Sequence, residues 1–134
     1  MHISFKLGFV APNGDKRHGA VLVPLPDALT MSCFLLMIPD ETVASRREEP
    51  APDATLKDAM LELGNMIGGA LNTAMEKLGL TGWSAHSEGC QGVRAGVRPA
   101  FPYQEGGELV VARVGAILAP FPAFDLILVL PPLG

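Results

Sequence analysis

The amino-acid sequence predicts an α/β (α+β) domain, in which a mixed or antiparallel sheet packs against one long helix and a shorter helix. Two observations support this prediction. Runs of β-forming residues with turn signals between them occupy both ends of the chain, and a long stretch with helical periodicity lies in the middle. The order of strands, helix and strands is typical of a sheet with helices on a face. A length of 134 residues fits a single domain over residues 1–134.

The first half of the chain contains several β signals. Residues 3–9 alternate between apolar and small or polar side chains, which predicts a half-buried strand. Pro12–Asp15 is a turn signal, and residues 20–25 predict a strand that returns from it. The continuous apolar run Met31–Ile38 predicts a strand covered on both faces. Residues 39–41 predict the start of a short helix, with acidic side chains in its first turn.

The segment that follows predicts a long helix. Thr55 and Asp58 resemble a capping box, and Gly79 lies where a C-terminal cap belongs. Apolar residues recur at steps of three and four and share one side, namely Leu56, Met60, Leu63, Ile67, Leu71, Ala74 and Leu78. The opposite side carries Asp58, Glu62, Asn65, Gly69, Asn72 and Glu76.

The last part of the chain is again rich in β signals. Val93–Val97 alternates weakly, and the longer runs Glu108–Leu118 and Phe124–Leu130 predict two strands. Gln104–Gly107 predicts a turn before the first of these runs.

Composition excludes several classes of protein. The 14 acidic residues outnumber the 10 basic ones, so a nucleic-acid binder with a basic stripe is not predicted. No apolar run approaches the roughly 18–20 residues of a membrane span. The first residues show no basic region followed by an apolar stretch, so no signal peptide is predicted and the expected location is cytoplasmic.

The cysteines and histidines do not predict a disulfide or a metal site. Cys33 and Cys90 are too few for a disulfide framework, and Cys33 lies in an apolar run typical of a core residue. His2, His18 and His86 are dispersed along the chain, so no metal of its own is predicted. The sequence assigns no role to Cys90.

Three glycines, Gly64, Gly68 and Gly69, interrupt the long helix. Each costs about 0.5–1 kcal/mol relative to alanine, so their presence needs a reason. Two reasons stay open at this point. The missing side chains let a partner's backbone approach the neighbouring carboxylate and amide, or they let the helix pack closely on its own sheet or on a second helix.

The helix resembles the signature of the CheX/CheC/FliY phosphatases of bacterial chemotaxis. That signature is Asp or Ser, three residues, Glu, two residues and Asn, and it is met by Asp58, Glu62 and Asn65. The sequence around Glu62 is especially close to CheX. A looser resemblance extends over residues 31–130, where the two C-terminal runs look like the last strands of that fold. The chain departs from the family in its β-type start and in Glu88, which occupies a position where the family has proline.

The resemblance implies a phosphatase that acts on a phosphorylated CheY-type response regulator. Asn65 would orient the hydrolytic water and Glu62 would engage a lysine of the partner. The resemblance implies no cofactor of the protein's own, since the Mg²⁺ belongs to the regulator. It also implies a homodimer formed through sheet edges or the apolar C-terminal strands. The charge balance and the lack of a long apolar run predict no contact with nucleic acid or membrane.

The same resemblance gives the flanking positions a role in partner binding. These are Asp58, Gly64, Gly68 and Gly69. For Asp58 two roles remain, support of the interface and capping of the helix, of which capping is favoured. Two other functions are carried alongside the phosphatase. One is a non-catalytic binding module of the same fold, which docks on a regulator or signalling partner, and the other is a structural subunit of a homo-oligomer.

Overall fold

The structure, a computed structural model, describes residues 1–94, 96–97 and 108–133. Within these ranges the chain forms five strands and three helices, where the sequence predicts one long helix and one shorter helix. In chain order they are β1 (His2–Val10), β2 (Lys16–Pro24), α1 (Leu25–Leu35), α2 (Asp40–Arg46), α3 (Ala54–Lys77), β3 (Ser84–Val93), β4 (Val110–Ala116) and β5 (Phe124–Leu130). The class is α+β. None of the helices in the described part of the chain combines the length and apolar character needed to cross a bilayer.

The sheet is antiparallel throughout its described pairs, and its strand order is β3-β1-β2-β5-β4. β1 and β2 form a hairpin whose turn uses Asn13 and Gly14. The Asn13 side chain accepts a hydrogen bond from the Asp15 N–H at 3.0 Å, and Gly14 has a φ of 89°. Glycine adopts such a value without steric strain. The turn predicted at Pro12–Asp15 is therefore confirmed.

The core lies between the sheet and the helices. Four alternate residues of β1, Ile3, Phe5, Leu7 and Phe9, are buried as the alternation predicts. α3 packs mainly on β3, and α1 packs on β2, β1 and α3. Burial of each large apolar side chain contributes about 1.5–3 kcal/mol, so this layer supplies most of the stability. Further members of the core are Val21, Val23, Ala28, Leu29, Cys33, Val43, Leu56, Met60 and Leu63.

Residues 31–38 do not form the predicted strand. Most of them belong to α1, which begins at Leu25 with Pro26 in its first turn, where a proline's missing N–H carries no penalty. The buried Ser32 hydroxyl donates to the Ala28 carbonyl at 2.9 Å, so the helix satisfies this polar group by itself. A uniformly apolar run does not distinguish a buried strand from a buried helix, and this is why the prediction was wrong.

The ends of the other helices differ from prediction at one point. α2 begins at Asp40, as predicted, and α3 spans 24 residues. The N-cap of α3 is Asp53, whose carboxylate accepts a hydrogen bond from the Leu56 N–H at 2.9 Å. Thr55 and Asp58 both lie inside the helix, so the predicted capping box, and with it the capping role of Asp58, is wrong.

β3 begins earlier than the weak alternation at Val93–Val97 predicts. It starts at Ser84 and ends at Val93. An irregularity in its pairing with β1 and the positive φ of Gly89, 94°, interrupt the regular strand pattern. Glycine and polar residues are weak strand signals, so the sequence pattern misses most of this strand.

The two C-terminal strands agree with prediction. β4 lies within Glu108–Leu118, and β5 covers Phe124–Leu130. β4 is an outer strand of the sheet and pairs with β5. The turn predicted at Gln104–Gly107 lies outside the described residues.

The N-cap of α3 gives a direct test of the helix start. Asp53→Ala is expected to lower the thermal midpoint of unfolding, because the Leu56 N–H loses its acceptor and Arg46 loses a carboxylate 2.8 Å away. Thr55→Ala, at the same terminus, is expected to leave the midpoint nearly unchanged. Circular dichroism melts of both variants make the comparison, and equal losses would contradict the assignment of Asp53 as the cap.

Candidate functional site

Two of the three helical glycines of α3 pack against β3. A Cβ atom at Gly64 would lie 2.7 Å from Ser87 Oγ, and one at Gly68 would lie 3.4 Å from the Ser87 backbone nitrogen. Both glycines are buried. The structure therefore gives Gly64 and Gly68 the role of close packing on the chain's own sheet, and their predicted contact with a partner is corrected accordingly.

Asn72 also holds α3 against β3. Its side-chain nitrogen donates to the Ala85 carbonyl at 2.8 Å, and its side-chain oxygen accepts from the Ala85 N–H at 2.6 Å. The sequence pattern places Asn72 on the outer side of the helix with Asn65, but the structure uses it to join helix and strand. Together with the packing glycines, these bonds fix the rotation of α3 about its own axis.

That rotation leaves a polar strip facing outward. Asp58, Glu62, Asn65 and Gly69 are all exposed, and Leu63 behind them is buried. Glu62 and Asn65 are three residues apart, which makes them neighbours on the helix surface, about 5–6 Å apart at Cβ. The structure therefore brings together the two residues assigned to catalysis, and keeps Asp58 and Gly69 beside them.

Within the described residues, the polar groups of this strip have no partner in the chain. Neither Asp58 nor Glu62 takes part in an ion pair, and the Asn65 side chain makes no hydrogen bond. Like charges four residues apart on a helix destabilise it by a few tenths of a kcal/mol. The strip thus offers two carboxylates that can receive a cation and one carboxamide that can both donate and accept hydrogen bonds.

Gly69 differs from the other two helical glycines. A Cβ atom there would meet no atom of the chain within 4 Å, so no internal packing accounts for this glycine. This glycine destabilises the helix by about 0.5–1 kcal/mol relative to alanine, and no packing contact inside the described chain offsets that loss.

A shallow groove of about 380 Å³ runs beside Glu62, between α3 and the end of α1. Most of its surface is apolar, with the carboxylates on one wall. The residues that line it are Leu35, Leu36, Thr55, Asp58, Ala59, Glu62 and Met66. The groove is not predictable from the sequence pattern, because the apolar run 31–38 predicts a strand and therefore does not place the end of α1 near α3.

The end of α1 has an unusual residue at its cap. Ile38 N–H bonds the Cys33 carbonyl and Met37 N–H bonds the Phe34 carbonyl, each at 3.0 Å, so Met37 occupies the left-handed position of a Schellman motif with a φ of 58°. That conformation costs a residue with a Cβ roughly 1–2 kcal/mol. Met37 nevertheless leaves its large apolar side chain 89% exposed.

A second polar cluster, which the sequence did not predict, joins β2 to β3. His18 Nδ1 lies 2.6 Å from one carboxylate oxygen of Glu88, and Lys16 Nζ and His86 Nε2 lie 3.2 Å and 3.9 Å from the other. Burial favours a raised pKa for Glu88, but the hydrogen bonds from His18 and Lys16 outweigh it, so the pKa is lowered. The strand register brings both histidines opposite Gly8, which a spacing rule along the chain does not detect.

The side chains of this cluster connect β2 and β3 across Gly8 of β1. Within the ranges that the structure describes, no group of three or more His, Cys, Asp or Glu side chains has an arrangement that could hold a metal ion. Glu88 serves as the acceptor for its three basic neighbours.

Comparison of the chain with protein-family models, with curated proteins and with solved structures finds no match.

The same change, glycine to leucine, made at Gly68 and at Gly69 distinguishes the packing side of α3 from its outer side. Gly68→Leu is expected to lower the free energy of unfolding by about 1–3 kcal/mol, because the side chain would meet the β3 backbone. Gly69→Leu is expected to raise it by up to about 1 kcal/mol, because leucine is the better helix former and the space there is open. Urea titrations measure both values, and a destabilised Gly69→Leu protein would contradict the orientation of α3.

Proposed function

We propose that the protein is a phosphatase of a phosphorylated CheY-type response regulator in bacterial chemotaxis or two-component signalling. The observation that supports this most is the outward pair Glu62 and Asn65, which has no side-chain partner among the described residues, on the same helix in which Asn72 bonds to β3. Together with the Asp-x3-Glu-x2-Asn spacing, this leaves the two side chains free to act on a second protein.

The chemistry asked of this site is modest. In hydrolysis of an aspartyl phosphate, a water oxygen forms a bond to phosphorus while the bond from phosphorus to the aspartyl oxygen breaks. The products are inorganic phosphate and the free carboxylate, and the water's proton leaves with phosphate or solvent. Such a reaction needs chiefly an oriented, in-line water and neutralised charge.

Asn65 suits the task of orienting the water. Its carboxamide oxygen accepts a hydrogen bond from the water, and its nitrogen donates one to a phosphoryl oxygen, without adding negative charge near phosphate. The side chain is exposed and makes no hydrogen bond within the described chain, so no internal bond has to break before it acts.

Glu62 suits a different task. A carboxylate facing the phosphoryl group would repel it, but a carboxylate can receive the lysine that stands beside the phosphorylation site in CheY-type regulators. The remaining charge neutralisation would come from Mg²⁺ held by the regulator. Asp58 and Gly69 flank the pair, Asp58 adding a second negative charge and Gly69 leaving room for the partner's surface.

A non-catalytic binding module remains the second candidate function. Glu62 lines the groove beside α1, whereas Asn65 does not, so a partner can dock there without engaging Asn65. In this alternative the same surface binds a regulator or another signalling protein and leaves its phosphate intact.

Asn65 and Asn72 form a matched pair for testing the proposal. Asn65→Ala is expected to slow hydrolysis at saturation by about two to three orders of magnitude, since one well-placed polar group contributes roughly 3 kcal/mol to the barrier. Its stability should be unchanged because the side chain is exposed. Asn72→Ala should instead lose about 1–3 kcal/mol of stability, from unpaired groups at Ala85, and keep its rate while folded.

Glu62→Ala is expected to behave differently from both. Loss of its contact with the partner's lysine should lower affinity and rate together, by about 1.5–3 kcal/mol if the contact is desolvated. Glu76→Ala, an exposed glutamate on the same helix, is the control and should change neither. Affinity and single-turnover rates are measured on each variant. If Asn65→Ala hydrolyses the phosphate as fast as the parent, the phosphatase proposal is wrong and the binding module is the better explanation.

We also propose that the protein forms a homodimer through the outer edge of the sheet. β4 exposes apolar residues on both of its faces, among them Val111, which is 62% exposed, and Val114. The described helices pack on β1, β2 and β3 rather than on this strand. Among the described strands β4 pairs only with β5, and an apolar strand with one free edge favours pairing with a second copy.

The dimer is tested by light scattering at tens of micromolar protein. The parent chain is expected to have the mass of a dimer, and Val111→Lys to shift it toward monomer, because a charge on an edge strand opposes pairing. Glu108→Lys, which lies outside β4, serves as the charge control. A parent protein that stays monomeric would contradict the dimer proposal and leave the phosphatase proposal unaffected.

A further inference from the structure

The ends of α1 and α3 use the same backbone motif but different residues. In α3 the left-handed position is filled by Gly79, with a φ of 77°, and its neighbours bond in the same way as those of Met37 in α1. Glycine is the usual residue at this position because it adopts such a φ without strain. Met37 is the exception, and its side chain points into solvent rather than into the core. Nothing inside the described chain compensates for it.

Met37 continues an exposed apolar surface. Leu35 and Leu36, which precede it, are more than a third exposed, and Met66 of α3 is 57% exposed. Leu35, Leu36 and Met66 line the groove beside Glu62, and Met37 follows Leu36 directly in the chain. We call Leu35, Leu36, Met37 and Met66 the apolar platform.

We propose that the apolar platform is the docking surface for the response regulator, and that it receives an apolar patch of the regulator next to the lysine that Glu62 engages. The inference rests on the proposed function and adds the residues that select the partner. Its basis is the chemistry of the groove, which has an apolar wall beside two carboxylates that pair with no cation in the described part of the chain. On a partner surface with a lysine flanked by apolar side chains, the lysine would pair with the carboxylates and the apolar side chains would pack on the apolar wall.

The apolar wall of the groove strengthens an ion pair formed by the carboxylates beside it. Apolar contacts around a charged pair exclude water, and a pair in a drier environment is stronger than one in bulk solvent. Met side chains are flexible and adapt to irregular partner surfaces. The apolar platform therefore affects the affinity for the regulator more than the rate of hydrolysis. Its residues are docking residues and not catalytic residues.

The test compares Met37→Asn and Met66→Gln with Leu78→Asn. Asparagine tolerates the left-handed conformation, so Met37→Asn should fold at least as stably as the parent while losing the apolar side chain. Leu78 is 77% exposed at the corresponding cap of α3 and lies outside the groove, so it is the matched control. The partners are all CheY-type regulators of the same genome, phosphorylated for rate measurements and loaded with beryllofluoride for affinities.

The expected result is that the parent speeds loss of phosphate from at least one regulator, and that Met37→Asn and Met66→Gln each raise KM about tenfold with kcat unchanged. Tenfold corresponds to about 1.4 kcal/mol at 25 °C. Leu78→Asn should leave both constants at their parental values. Affinities for the beryllofluoride-loaded regulator should weaken by the same factor.

The other outcomes separate the two proposals. If the parent is active and both platform variants keep the parental KM, the docking proposal is wrong and the phosphatase proposal is unaffected. If the parent binds a regulator without hydrolysis, the enzyme is overturned, and the affinities of the variants decide the platform. If the parent neither binds nor acts on any regulator, both proposals fail. If the variants alter only the dimer mass, the surface joins two copies of this chain and the platform proposal is wrong.

Discussion

The close approach of α3 to β3 is the constraint on which the rest of the surface depends. Gly64 and Gly68 let the helix lie against the strand, and Asn72 bonds the Ala85 backbone at the helix's far end. A helix held at these points has one rotation available, and that rotation turns Glu62 outward. The polar strip is exposed because the opposite side of the helix packs on the sheet.

A second constraint holds α1 where it can form the other wall of the groove. Arg47, just after α2, lies 3.0 Å from the buried Asp27 carboxylate and 2.6 Å from the Thr30 hydroxyl, and it also stacks over the Phe121 ring at 5.2 Å. Breaking a buried pair of this kind costs about 3–5 kcal/mol, since one charge is left without compensation. Arg47 therefore joins the end of α2 to the first half of α1.

How much could be predicted from the sequence depended on whether a signal was local. The long helix and its exposed Glu62 follow from a period of 3.6 within one segment, and β5 follows from its β-rich run. The identity of α1 could not be predicted, because a uniformly apolar run has no period. The use of Asn72 and the meeting of His18 with Glu88 depend on which strands are neighbours, and this is decided by tertiary packing rather than by spacing.

The proposed phosphatase is tested most directly by the lifetime of the phosphoryl group on CheY-type regulators from the same genome, with and without this protein. Each regulator is labelled, excess phosphodonor is removed, and the decay is followed at protein amounts well below those of the regulator. We expect at least one regulator to lose its phosphate faster, with many turnovers per molecule of protein and release of inorganic phosphate. Lifetimes that stay the same for every regulator, even with equimolar protein, would contradict it.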